Sequence, residues 1–239
     1  MRNILLCLLV LGCFSSCRTY QYVTLETEKA TRNEAKELVW ENDTVKLFFN
    51  FNGKWGNLNL TVFNKSEQPL SINWQKSAIV YSDSSYILFD ITTRINGDIE
   101  KNLRDNRIPD PYVKRLGSIN ATIATTNTFD FLPPHTYVNQ KNLQLFKIQP
   151  SIKSLSPDLP IEKMKTEESL VNYRKAVYDL SSTPFKFKLF LTYEAANGQS
   201  FFTQHLFYVT EIRQVDNAGI YHTFINLDGD KFYWAVPTE

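Results

Sequence analysis

Three cysteines and three histidines are all that this chain of 239 residues offers to thiol or imidazole chemistry. Cys7, Cys13 and Cys17 fall within the first seventeen positions, so the rest of the chain has no thiol nucleophile and no cysteine to cross-link or hold a metal. His135, His205 and His222 are far apart, and no H-E-x-x-H is present, so a zinc site would need three distant ligands to converge. A serine nucleophile needs a histidine partner, and no G-x-S-x-G elbow occurs. His205 sits in "FFTQHLFYV" among apolar and aromatic neighbours and reads as a packed, hydrogen-bonded strand residue. His135 follows Pro133-Pro134 and reads as a loop residue, and His222 stands beside Tyr221. Asp228-Gly229-Asp230 has the start of a calcium loop but not its remaining oxygen ligands, so it reads as a turn. The 25 acidic residues could hide a glycosidase carboxylate pair, because sequence spacing does not reveal separation in space. Nothing here calls for a catalytic residue, a metal or a cofactor, and the reading is a protein that is not an enzyme.

The cysteines point to an address. Arg2 precedes an apolar run, Ile4 to Phe14, broken only by Gly12. That run is shorter than the roughly 20 residues a spanning helix needs. It fits the apolar region of a secretory signal, with small residues behind it. Phe14-Ser15-Ser16-Cys17 resembles a bacterial lipobox, in a loose form similar to that of Bacteroidetes-type lipoproteins. Val10-Leu11-Gly12-Cys13 is a second possible lipobox, but cutting there would leave much of the apolar run attached, so Cys17 is preferred as the lipidated residue. An ordinary signal peptide is the third reading; it would leave Cys17 as an unpaired thiol in an oxidising compartment. The resemblance implies acylation of Cys17 and, with Arg18 rather than an aspartate following it, the outer membrane. No acidic cluster follows, so the periplasmic face is preferred to the cell surface.

Charge and composition bound the remainder. The 26 basic and 25 acidic residues nearly cancel, which gives no electrostatic reason to expect nucleic acid as a partner. With no disulfide, stability must come from an apolar core, and a chain of this length can bury one. Seventeen Phe, 12 Tyr and 4 Trp favour sheets over helices. Residues 17–40 are mostly polar and read as a lipidated N-terminus and flexible tether. Val45, Leu47, Phe49 and Phe51 alternate with polar residues, as do Leu58, Leu60 and Val62, and Ile72, Trp74 and 78–81 follow: three strands within forty residues. Residues 94–117 are charged and contain Pro109 and Pro111, and read as a long loop with one helical turn. Pro133-Pro134 interrupts a strand-like stretch at a sheet edge or crossover. Residues 150–172 read as proline-broken chain with a short helix. "PFKFKLFLTYEAANGQSFFTQHLFYVTEI" reads as a hairpin turning at Asn197-Gly198. A last hairpin turns at Asp228-Gly229 and ends in "KFYWAV".

The order of lipobox, "LNLTVFNKSEQPLSINWQKSAIV", "FDFLPPHTYV" and "STPFKFKLFLTY" with "FYVTEI" resembles that of uncharacterised Bacteroidetes-type envelope lipoproteins. The resemblance implies an all-β chain: an immunoglobulin-like β-sandwich over 41–239, elaborated by long loops and one short helix, after the tether. A split into two small sandwiches near 94–117 stays open. It carries no activity and no functional residue other than Cys17. Asp43-Thr44-Val45 resembles the O-glycosylation signal of such proteins, making Thr44 a candidate acceptor. Trp55, in "NGKWGN", stands between two glycines at an expected hairpin tip, where an exposed ring would contact carbohydrate or protein; the alternative is that it folds back over the sandwich. The function expected is a lipid-anchored binding or assembly module with an envelope protein partner. The rival is a glycan-binding protein or glycan hydrolase.

Overall fold

The computed structural model describes residues 19–88, 92–104, 112–124, 129–143, 152–165, 170–216 and 228–236. Cys17 and His222 lie outside the described residues. The strands in chain order are β1 (Tyr20–Thr27), β2 (Thr31–Arg32), β3 (Leu38–Glu41), β4 (Val45–Asn50), β5 (Leu58–Asn64), β6 (Leu70–Tyr81), β7 (Ser84–Ile87) and β8 (Thr92–Arg104). They continue with β9 (Tyr112–Ala124), β10 (Phe129–Leu132), β11 (Tyr137–Leu143), β12 (Ile161–Lys165), β13 (Leu170–Val177), β14 (Lys186–Ala195), β15 (Ser200–Val215) and β16 (Lys231–Ala235). No helix occurs among the described residues. The fold is an all-β sandwich of two antiparallel sheets. The larger runs β10-β6-β14-β15-β1-β16, with β7 beside β6 and the β12–β13 hairpin joined to β15 through β13. The smaller runs β11-β5-β4-β3-β2.

Alternation decides which faces meet. Val45, Leu47 and Phe49 of β4 and Leu58, Leu60 and Val62 of β5 are buried while their neighbours are not. Opposite them lie Leu189, Leu191, Phe207 and Val209 of the larger sheet, all buried. Phe207 is the centre of the contact, with ring centroids 5.0 Å from Phe49, 5.2 Å from Phe51 and 5.1 Å from Phe187. Aromatic pairs at such separations contribute roughly 0.5–1.5 kcal/mol each beyond the area they bury. Strands before and after residues 94–117 share this one core. Pro133-Pro134 is a crossover: β10 belongs to the larger sheet and β11 to the smaller. Buried Asn64 fastens it, its Nδ2 donating to the carbonyls of Gln68 (2.8 Å), Leu132 (3.1 Å) and Pro133 (3.2 Å).

Three expectations are corrected. Residues 20–27 are not a tether. They form β1, which lies between β15 and β16 with Val23 and Leu25 fully buried, and β2 and the start of β3 follow before residue 40. The polar residue that hides this strand, Gln21, points inward and is satisfied there: its Nε2 donates to Gln214 Oε1 (3.0 Å) and Lys153 O (2.9 Å), and its Oε1 accepts from Trp234 Nε1 (2.9 Å). Residues 94–104 and 112–117, expected in a loop with a helical turn, lie in β8 and β9, which pair with one another from Thr92↔Ala124 to Arg104↔Tyr112, while Pro109 and Pro111 lie outside the described residues. The short helix expected within 150–172 does not occur among its described residues, 152–165 and 170–172. Residues 152–159 cross the sheet in irregular chain held by Leu155 N donating to Gln214 Oε1 (2.8 Å), and β12–β13 is a hairpin.

Candidate functional site

The outer face of the larger sheet, at the end where β14 turns into β15, carries four phenylalanines. The register runs in rows across the strands. Phe129 of β10 is opposite Asn73 of β6, Asn73 opposite Thr192 of β14, and Thr192 opposite Phe202 of β15. In the next row Phe131 is opposite Ser71, and Ser71 opposite Glu194. Phe190, two residues from Thr192 on the same face, lies 6.4 Å from Phe202 between ring centroids. Phe131 and Phe202 are about two-thirds exposed (64% and 66%), which is unusual for rings that a core could have taken.

A bulge in β6 shapes this face. Phe190 pairs with Ala78 and Thr192 with Asn73, so the four residues 74–77 of β6 stand against Leu191 alone on β14, three more than a regular ladder holds. The excursion is stapled from within: Lys76 N donates to Asn73 Oδ1 (3.1 Å), Ser77 Oγ to Asn73 O (2.7 Å), Thr192 N to Ser77 Oγ (3.0 Å) and Thr192 Oγ1 to Lys76 O (2.8 Å). Trp74 turns its ring into the core and donates Nε1 to Asp130 Oδ2 (2.9 Å). Bulges of this kind re-aim side chains locally. The result is a shallow depression of about 390 Å³ lined by Lys76, Ala78, Phe190, Thr192 and Phe202. Glu194 closes one rim, accepting from Asn73 Nδ2 (2.7 Å) and Lys76 Nζ (3.3 Å). The Asn73 bond, with Lys76 adding to it, holds the Glu194 carboxyl below its usual range. Glu194 is thus held as an anion at the rim, with both bonds received on Oε1.

Beside the depression the ladder is open. β14 pairs with β15 along Ser200–Tyr208, but β1 reaches β15 only from Phe207 onward. Residues 200–206 of β15 therefore have no described strand on their second side, and Phe202 and Gln204 are exposed there. β10 is a border strand of the same sheet, with Phe129 and Phe131 on it. Unpaired edges with apolar side chains are templates for an added strand.

The other residues singled out by sequence do not gather into one place. Trp55 is 41% exposed, with φ of 68°, in a loop that runs along β16: its N donates to Tyr233 O (2.8 Å), and Lys54 lies over its ring at 5.6 Å. Thr44 is half-buried in the turn from β3 to β4, where Asn42 Oδ1 accepts from the backbone N–H of Thr44 and Val45. His135 is exposed and 3.1 Å from Glu67. His205 faces the core between Trp40 (4.6 Å) and Phe49 (5.1 Å), and its Nε2 has no hydrogen-bond partner, so it is packed but not bonded at that atom. Burial pushes its pKa down to about 4. Among the described residues no group of three His, Cys, Asp or Glu side chains is placed to hold a metal ion. Asp228-Gly229-Asp230 is a turn, with Arg32 Nε donating to Asp230 Oδ2 (2.7 Å). Phe190 and Phe202 had a signal in the sequence, since "FKFKLFLTY" and "SFFTQHLF" are apolar at positions of both parities. No protein-family model, curated protein or solved structure matches the chain.

Proposed function

We propose that this chain is a lipid-anchored envelope protein, held by Cys17 on the periplasmic face of the outer membrane, that binds a protein partner through the phenylalanine face and the open edge of β15. The observation that carries this reading is the coincidence of the two features at Phe202: exposed rings supply apolar area and the free ladder of residues 200–206 supplies directed hydrogen bonds. Strand addition uses both at once, with main-chain bonds for affinity and alternate side chains for specificity. The solid core and shallow depressions among the described residues favour a module over a cleft enzyme, and no catalytic step is proposed.

In-cell crosslinking of the native lipoprotein should return one partner in near-equal amount, and Phe202→Asp should lose it while keeping the wild-type circular dichroism spectrum. Recovery of the lipoprotein alone would end this reading. Cys17→Ala should abolish lipid labelling; continued labelling would move the anchor to Cys13. Trp55, half-exposed on its strained loop, favours a second reading, glycan capture. That reading requires Trp55→Ala to reduce retention on a glycan matrix, and unchanged retention would dispose of it.

A further inference from the structure

The direction of the main-chain groups along β15 follows from two bonds at the ends of its ladder with β14. Val209 N donates to Phe185 O (3.1 Å) and Ala195 N donates to Gln199 O (2.8 Å). Both fall in step with the pair Leu191↔Thr203, and bonded pairs alternate with unbonded ones in an antiparallel ladder. Phe201, Thr203 and His205 therefore turn their N–H and C=O groups toward β14, and Phe202 and Gln204 turn theirs to the open side. Their side chains are exposed on the outer face, so a strand bonded there would set every second side chain beside them. On the inner face Trp40, half-buried, packs against the His205 ring at 4.6 Å, beneath the other set.

The other borders of the larger sheet are protected. The loop before β5 covers β16, with Trp55 N donating to Tyr233 O (2.8 Å) and Tyr233 N donating to Gly53 O (3.0 Å). β12 carries Glu162, Lys163 and Lys165, and β7 and β10 are four residues each. Covering loops, charges and short edges are the usual devices against unwanted pairing. Residues 200–206, "SFFTQHL", have none of them: no acidic residue, lysine, arginine or proline interrupts about 23 Å of ladder. The row also has a stop at one end. β1 fills it up to Thr27↔Phe207, where Lys29 (φ 60°) turns the chain and β2 joins the smaller sheet. A strand laid along 200–206 must end or turn at that level. Lys76 and Glu194, on the outer face, bond each other, so a charge covered against Phe202 or Trp40 would go unpaired, which is costly.

We infer that the partner donates one uncharged extended segment of about six residues, apolar toward both Phe202 and Trp40, that continues the row of β1 along β15 and ends or turns beside Lys29. This rests on the partner reading above and specifies the segment that reading leaves open. The test is amide hydrogen exchange, read residue by residue, on the full lipoprotein in detergent micelles, alone and co-purified with its partner. Alone, Phe202 and Gln204 should exchange faster than Thr203 and His205, on the order of tenfold or more, and in the complex they should slow to their neighbours' rate. Protection of 202 and 204 in the isolated chain would mean that the same chain or a second copy already fills the row, and would overturn the inference. A complex in which 202 and 204 stay fast would also overturn it, leaving a partner held by the phenylalanine face alone. Gln204→Pro deletes an open-side donor and no bond to β14, so partner recovery should fall several-fold with an unchanged circular dichroism spectrum. Recovery at the wild-type yield, or a charged residue in the partner segment that becomes protected, would count equally against it. Recovery of no partner would remove the reading and the inference together.

Discussion

Lowering the pH from about 6.5 to about 4 should remove roughly 3 kcal/mol of folding stability through His205 alone. The cause is burial: the imidazole lies against Trp40 and Phe49, with Nε2 unbonded, and the charged form would lose its water without gaining a partner. The sign follows from which state takes the proton first. In the unfolded chain His205 protonates near 6.5, whereas in the folded chain it resists until about 4. Between those values the unfolded state holds more protons, so stability falls as pH falls, and below about 4 the loss is complete. Urea unfolding at a series of pH values measures it. His205→Leu should flatten the curve across this window. If the variant keeps the wild-type slope, another group is responsible. Glu211, whose burial opposes the shift but which Lys175 and Arg213 hold low, and Asp179, held to about 2 by Ser181 and Ser182, begin to lose their contribution as pH falls through their unfolded values of 4.5 and 3.8, so they overlap only the lowest part of this window.

Gly229→Ala should destabilise the fold by about 2–3 kcal/mol, the range for overpacking a site that cannot give. The reason is distance and not backbone freedom. A Cβ at 229 would lie 2.6 Å from Glu37 Cγ, 2.8 Å from Glu37 Cα and 2.9 Å from Glu37 N, and two of those three are backbone atoms. Neither neighbour can withdraw easily. Gly229 N donates to Ala35 O (2.8 Å), Phe51 N donates to Gly229 O (2.7 Å) and Leu25 N donates to Asp230 O (2.9 Å), so this turn ties β1 to the smaller sheet. Both carboxylate oxygens of Glu37 are held as well, by Asn33 Nδ2 (2.7 Å) and Asn50 Nδ2 (2.8 Å). Thermal melts should show a drop of about 5–10 °C for a domain of this size. Gly198→Ala, where no atom lies within 4 Å, separates crowding from the strain of a positive φ (81°), and should cost less.

The sandwich was legible where one strand face is wet and the other dry. β4 and β5 announce themselves because Lys46, Asn50, Asn59 and Thr61 stand between buried neighbours. The Asn197-Gly198 turn was legible because Gly198 adopts the positive φ that the pair predicts. β1 was hidden by polar side chains that are buried with their own partners: Gln21 looks like surface until Gln214, Lys153 and Trp234 are around it. β8 and β9 were hidden because they pair in a ribbon of two strands, where no third strand dictates an apolar face. The phenylalanine face was legible only as an excess. Which rings point outward depends on three extra residues in β6, and a register shift of that kind is set by Asn73, Ser77 and Thr192 bonding across strands, not by any local pattern.

β15 runs 16 residues without interruption, roughly 50 Å at the usual rise, and is shared between β14 over its first half and β1 over its second. Its two ends are the two ends of any tensile load between the N-terminus and a partner seated at Phe202. Such a pull would run along the strand axes and leave the molecule through β1, in the direction that slides β1 past β15. All eight residue pairs from Tyr20↔Val215 to Thr27↔Phe207 would then have to yield together, where a perpendicular pull would open them one at a time. The sheet is thus arranged as a stiff link in shear, able to transmit force along its length.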